Sequence, residues 1–401
     1  MRKVFFSFII FLLIIYFLLP ISYGFTYSPF IWSEDSVTTS TSPEINLNLE
    51  SESYILIEQN SGQILYEHNS HEQLRPASVT KVMSILLIME ALDNGQISLK
   101  DKVPCSEKAS KMGGSQIWLD VREELTVNEM LKAICVASAN DCTVAMAEFL
   151  AGSEEAFVEK MNNRAKELGM NDTCFKNCHG LDTDGHITSS YDISLMSREL
   201  LKNHPSITKY TTIWMDSLRD GKSVLTNTNK LIRNYKGATG LKTGSTGLAL
   251  YNLSASATRD NLSLIAVIMR APSTKVRFSD AQKLLDYGFN QYSYSQLAKK
   301  GNILTQPPVS KGVNSSVNAV LGEDAGSLLK KGNSRNIEQV VSLPESINAP
   351  IRKGEELGKV DYILEGQTIC SVPIVADEDV KQINLSNMVE FVFFNWFRLL
   401  R

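Results

Sequence analysis

Three short motifs, standing in a fixed order, constrain this chain more than any other feature. Ser78-Val79-Thr80-Lys81 comes first, Ser138-Ala139-Asn140 follows, and Lys242-Thr243-Gly244 comes last. A fold that uses them must gather a helix start, a second serine with an amide, and a lysine on a glycine-ended strand from distant parts of the sequence. The order carries the signal, because single motifs recur. Ser-x-x-Lys is also present at Ser206 to Lys209 and Ser327 to Lys330, and Ser-x-Asn at Ser334 to Asn336 and Ser346 to Asn348. Those copies read as surface residues. Lys-Thr-Gly occurs once.

The three motifs together describe an acyl-transfer site. A serine hydroxyl is a weak nucleophile until a neighbour takes its proton. Pro76 opens an apolar helical stretch from Val79 to Ala91, with Ser78 and Lys81 in its first turn. Three residues apart on a helix, the two share a face and the amine reaches the hydroxyl. A lysine with its usual pKa near about 10.4 would be protonated and useless as a base. Burial and a second cation would lower it, and Lys242 is the candidate cation. Ser138 could pass a proton between Lys81 and a leaving amine, while the Asn140 amide positions groups around it. The Ser78 N–H, at a helix start, is placed to hold an oxyanion. Lys242 and Thr243 on an edge strand would let an extended substrate add as a further strand, with Gly244 leaving room for its backbone. This chemistry requires no cofactor and no metal. Cys174, Cys178 and His179 lie close in sequence, but no fourth ligand is evident.

Compartment and organisation follow from texture. The chain has 401 residues and a formal charge of −4 without a basic block, so nucleic-acid binding has no support. Arg2 and Lys3 precede an apolar run from Val4 to Leu19, with small residues at Ser22 and Gly24, which reads as a signal peptide over 1–24. An uncleaved anchor is the alternative. Residues 25–45, rich in Ser, Thr and Pro, read as a linker. Of the six cysteines, Cys135 and Cys142 would stand about 10 Å apart along a helix, too far to bridge. The expected state is buried free thiols.

A hairpin is expected at Tyr54–Glu58 and Gln63–Tyr66, round Asn60-Ser61-Gly62. Helical patterns cover 126–150 and 154–168. Strands follow at Leu241–Thr243, Ala249–Ala257 and Leu262–Met269, then a helix over Ser279–Tyr287. Strands at both ends with helices between predict an α+β sheet assembled from distant segments, spanning 46–296. From 297 to 378, alternating stretches at Val313–Val320, Ile337–Leu343, Glu356–Tyr362 and Gln367–Val375 predict a small all-β domain. In the tail, 383–401, Leu385, Met388, Val389, Val392, Trp396 and Leu399 fall on one helical face. As a helix, the stretch from Leu385 to Arg401 is about 25 Å long, short for a bilayer core of roughly 30 Å. An amphipathic helix lying on a membrane is expected.

At these residues the chain resembles the serine D-alanyl-D-alanine carboxypeptidases, the low-molecular-weight penicillin-binding proteins. Arg75 to Met83 is similar to the family's nucleophile segment, and Gly113-Gly114-Ser115 to a loop bordering its active site. Asn177 to Leu181 with Tyr191-Asp192 resembles its His-Gly-Leu region, Gly240 to Thr246 its substrate strand, and Val276-Arg277-Phe278 a segment further on. The resemblance covers about 46–375 and extends to the terminal amphipathic helix. It implies a transpeptidase or serine β-lactamase-like sheet flanked by helices, followed by a β-rich domain. It also implies hydrolytic removal of terminal D-alanine from peptidoglycan stem peptides, inhibition by β-lactams, and residence on the outer face of the cytoplasmic membrane. By the same resemblance Ser78 forms the acyl-enzyme, Lys81 is the base, and Ser138 and Asn140 assist proton transfer. Lys242 and Thr243 bind substrate, the Ser78 and Ser245 N–H groups form the oxyanion hole, and Arg277 helps hold the terminal carboxylate, a task suited to guanidinium. Cys178 stands where the family often has proline, and Gly247-Leu248-Ala249-Leu250 is bulkier than usual. A β-lactamase is the nearest rival. Its Glu-x-x-x-Asn element is matched in spacing by Glu159 to Asn163, which reads as helix surface. A D,D-endopeptidase and a non-catalytic β-lactam sensor are the others.

Overall fold

The apolar run that starts the hairpin becomes β1 (Ser53–Glu58), paired with β2 (Ile64–His68). Glu58 makes the turn, its carboxylate accepting from Asn60 N at 2.9 Å and Ser61 N at 2.6 Å. Every residue of β1 is buried, because its second neighbour comes from far along the chain. The long strands β3 (Ala238–Thr246), β4 (Leu250–Arg259) and β5 (Leu262–Ala271) complete an antiparallel sheet in the order β2-β1-β5-β4-β3. Lys242 therefore lies on an edge strand. The computed structural model describes residues 46–332 and 336–384. The expected signal peptide and linker fall outside these residues, as does the tail helix apart from Ile383 and Asn384.

Alternation along the strands supplies two cores. Ile55, Ile57, Ile265, Val267 and Met269 face one way, against α1 (Lys81–Asp93), α2 (Asn140–Ala151), α3 (Glu154–Glu167) and α4 (Ser190–Asn203). Leu56, Leu264, Ala266 and Ile268 face the other, against Ala281, Leu284 and Leu285 of α5 (Thr274–Gln291). Each fully buried Leu or Ile contributes about 1.5–3 kcal/mol, and a one-residue slip would expose a whole face.

Two expected elements differ. The helix expected over 126–150 is interrupted: Val127–Lys132 gives way to a π-helical turn at Ala133–Ala137, Ser138 takes φ +63°, and α2 starts at Asn140. Such a break, costly inside a helix, takes Ser138 out of the ladder and makes Asn140 the start of a new helix. The helix expected over Ser279–Tyr287 starts earlier, capped by Ser273, whose Oγ accepts from Val276 N, so Arg277 sits in its first turn.

Beyond α5, the strand Tyr292–Ala298 pairs at once with Ala325–Lys330. A five-stranded antiparallel sheet follows, in the order Ile303–Thr305, Ala319–Leu321, Gln367–Ala376, Glu356–Leu364 and Ile337–Ser342. Its own core includes Val317, Leu321, Val360, Tyr362 and Ile374. The strand expected over Val313–Val320 shrinks to Ala319–Leu321, because Asn314-Ser315-Ser316 makes a turn closed by Val309 N donating to Ser315 O. Among the described residues no helix is long and apolar enough to cross a membrane.

Candidate active site

Ser78 lies in a 3₁₀ turn, Ala77–Thr80, that feeds directly into α1, so Lys81 is the first residue of the helix. Ser78 is half-buried and Lys81 fully buried. Lys81 Nζ donates to Ser78 Oγ at 3.0 Å, Asn140 Oδ1 at 2.6 Å and the His179 carbonyl at 2.6 Å. Two of these partners only accept. When the amine is neutral its two N–H bonds stay on them, and the lone pair is left facing the Ser78 hydroxyl. Burial pushes the Lys81 pKa well below its ordinary value, and the charge of Lys242 lowers it further, against Cys178 and Asp141.

The amide that orients Lys81 is itself fixed. Asn140 Nδ2 donates to Gly113 O at 2.7 Å, and Asn140 N to Ser115 O at 2.7 Å, so Oδ1 must face the lysine. Gly114, at φ +76°, is required here, since a Cβ would sit 2.8 Å from Asn140 Nδ2. Ser138 Oγ is buried with no hydrogen-bond partner. An orphaned buried hydroxyl is costly, and such groups gather where a substrate completes the network.

On the facing strand Lys242 is buried, donates to Thr243 O at 2.9 Å, and has its pKa pushed down to about 7, by burial first and then by Arg277, with Cys135 opposing. Thr243 Oγ1 donates to Thr228 Oγ1 at 2.7 Å. Gly244 corrects an expectation. A Cβ there would lie 2.8 Å from Pro76 O and 2.9 Å from Ser78 N and Val79 N. The missing side chain thus makes room for the chain's own nucleophile turn rather than for substrate backbone. Ser245 follows at an exposed position. Arg277 is buried, donating from Nη1 to Gly244 O and Asn252 O at 3.2 Å each, its Nε without a partner and its Cζ 4.8 Å from the Phe278 ring centroid. Burial lowers its pKa to about 10.

Direct bonds therefore join Ser78, Lys81 and Asn140. Close backbone packing joins Gly244 to the Ser78 turn, and a hydrogen bond joins Arg277 to Gly244. The motif reading missed the His179 carbonyl, whose part is invisible in a side-chain pattern, and Glu154, which sits behind it. All six cysteines are free. Cys178 Sγ donates to Glu154 Oε1 at 3.3 Å, while Cys174 lies on a backbone bridge to Ile187. Glu159 and Asn163 are exposed on α3.

The family model described as D-alanyl-D-alanine carboxypeptidase matches residues 37–273, and that of the penicillin-binding protein 5 C-terminal domain matches 292–382. The D-alanyl-D-alanine carboxypeptidase DacF of Bacillus subtilis (strain 168) is 46% identical over 351 residues, 86% of this chain and 90% of the relative. Penicillin-binding protein 5 from Haemophilus influenzae superposes with TM-score 0.71 and 31% identity, over 83% of this chain and 98% of that one. The ampicillin-bound form of Penicillin-Binding Protein D2 from Listeria monocytogenes does so with TM-score 0.56 and 30% identity, over 61% and 99%. With Ser78, Lys81, Asn140 and Gly244 packed together and both family models matched in order, the chain belongs to the D-alanyl-D-alanine carboxypeptidase family.

Proposed function

We propose that the chain is a serine D,D-carboxypeptidase that removes the terminal D-alanine from peptidoglycan pentapeptide stems, with Ser78 as nucleophile. The observation that carries the assignment of roles is the Lys81 amine held by two acceptor-only groups with its remaining direction on Ser78 Oγ. In acylation, Ser78 Oγ bonds to the penultimate D-alanine carbonyl carbon while its proton passes to Lys81 Nζ. The oxyanion forms between the N–H groups of Ser78 and Ser245. The proton then reaches the leaving amine through Ser138, the C–N bond breaks, and D-alanine departs. Water attacks the ester, the same groups return its protons, and the shortened stem leaves. Lys242 and Thr243 hold the substrate along the strand edge, and Arg277 balances the terminal carboxylate.

A β-lactam ring presents the same carbonyl and would acylate Ser78, a reading supported by ampicillin bound to the Listeria relative. Efficient lactam hydrolysis needs a carboxylate poised over the ester. Glu159, on the exposed side of α3, does not offer one. The protein is exported by its first 24 residues, with the catalytic part at 46–296 and the β-rich part at 297–378, and is held on the outer face of the cytoplasmic membrane by an amphipathic helix at 383–401.

The test is D-alanine release from a Lys-D-Ala-D-Ala peptide by the protein and by Ser78→Ala. Release by the wild type alone establishes both reaction and nucleophile. Penicillin capture without D-alanine release would overturn the carboxypeptidase reading in favour of a sensor.

A further inference from the structure

Behind the catalytic lysine lies a buried carboxylate to which the motifs give no task. Glu154 is the first residue of α3, after the Ser153 cap, and it is buried. Its Oε1 accepts from Cys178 N at 3.2 Å and Cys178 Sγ at 3.3 Å, and lies 3.4 Å from His179 Nε2. Its Oε2 is 2.9 Å from Lys108 Nζ. Leu181 N donates to His179 Nδ1 at 3.2 Å, so the neutral ring must carry its proton on Nε2, aimed at Glu154. Burial favours that neutral ring, with a pKa down to about 4.

The segment gripped in this way faces the nucleophile helix. The His179 carbonyl takes the Lys81 N–H, and the Cys178 carbonyl accepts from Ser84 Oγ at 2.6 Å, almost one turn further along α1. Gly180, at φ +91°, packs so closely that a Cβ would lie 1.9 Å from Ala77 O. The segment has no slack on the active-site side. On the other side, three of its groups converge on a single carboxylate oxygen.

We propose that Glu154 is a positioning residue for the general base: it clamps Cys178 and His179 from behind and thereby fixes the carbonyl that aims the Lys81 amine at Ser78. This rests on the reading of Lys81 as the base. Glu154→Gln keeps the shape, but an amide nitrogen would then face either Lys108 or the donors of Cys178 and His179. Both arrangements oppose donor to donor.

The experiment measures, with the full-length protein, kcat and KM for D-alanine release and single-turnover acylation by a fluorescent penicillin between pH 5 and 9. For Glu154→Gln, acylation and kcat are expected to fall about 10–100-fold with KM within about twofold, since a misaimed base loses rate rather than binding. The acid limb should also move, which a purely structural role would not cause. His179→Phe keeps the carbonyl and removes the Nε2 contact with Glu154. It should slow acylation less, about 3–10-fold, and keeps the test open if Glu154→Gln does not fold. A folded Glu154→Gln with wild-type rates and pH profile overturns the proposal, as does His179→Phe at the wild-type rate. A wild-type protein that is never acylated overturns the reading of the site itself.

Discussion

Two sites in this protein, one around a half-buried arginine and one around three buried cations, are built on opposite principles. On the outer side of the helical layer, Arg164 meets Glu90 at 2.7 Å, Glu199 at 2.6 Å and Glu167 at 3.2 Å, so its charge is fully answered by carboxylates. In the active site Lys81, Lys242 and Arg277 are each nearly or wholly inaccessible, and no ion pair among the described residues engages any of them. Their hydrogen bonds go to carbonyls, an amide and a hydroxyl. The first cluster is finished, with three carboxylates on one guanidinium. The second is a buried, cation-bearing edge without a carboxylate partner, and on the proposed reading the free carboxylate of a peptide ending in D-alanine would supply one. Proton affinities follow: burial raises no cation in the second cluster, whereas Arg164 is held above its ordinary value by its carboxylates despite partial burial.

The comparison breaks most visibly at Arg277. If its unanswered charge selects the terminal carboxylate, Arg277→Gln should lower kcat/KM for Lys-D-Ala-D-Ala by about 10²–10³-fold, in the range of a lost charge-assisted pairing. The same change should cost less than about tenfold with a substrate whose terminal carboxylate is methylated. Steady-state kinetics on the pair of substrates decides it. Equal losses on both would mean that Arg277 serves the fold of β3 and β4, through Gly244 O and Asn252 O, rather than the substrate.

Arg164 should behave in the opposite way. Arg164→Met leaves Glu90, Glu167 and Glu199 facing one another in a partly buried place, at an expected cost of about 1–3 kcal/mol. Thermal unfolding should show a Tm lower by several degrees, with kcat/KM unchanged at 25 °C. A large loss of activity with intact stability would erase the distinction between a structural and a functional cation cluster. Glu90, Glu199 and His204 also bring their ligand atoms within 4.8 Å of one another. Arg164 already pairs with two of them, Glu90 and Glu199, while His204 Nδ1 pairs with Asp93.

How far the sequence foretold this contrast depends on which atoms carry it. Ser78, Lys81, Asn140 and Lys242 were legible because their chemistry resides in side chains at recognisable spacings, and the strands holding Ile55 and Leu264 were legible as short apolar runs, the first closed by a glycine turn. The left-handed Ser138 and the interrupted helix before it were not. Ala133-Ile134-Cys135-Val136-Ala137 is good apolar helix sequence, and only tertiary packing makes it a π turn. The His179 carbonyl was illegible for a different reason, since every residue has one. Gly244 was noticed but given the wrong neighbour. A glycine announces close approach without saying whose backbone approaches, and here it is the Ser78 turn.

The finest test concerns the coupling within the unanswered cluster. Lys242 carries a charge below about pH 7 and loses it above, and that charge depresses Lys81. Removing it must raise the Lys81 pKa, so the base form is reached only at higher pH. In Lys242→Met the acid limb of penicillin acylation at Ser78 should therefore move upward by about one pH unit, the scale of a neighbouring charge. Each profile is normalised to its own plateau, so that lost substrate affinity drops out. The difference should be confined to the acid side, because above pH 7 the wild-type Lys242 is itself neutral and the two normalised profiles converge. A limb that stays put would mean that burial alone lowers Lys81, leaving the second lysine to substrate binding. A limb moving to lower pH would reverse the sign and rule out the like-charge coupling.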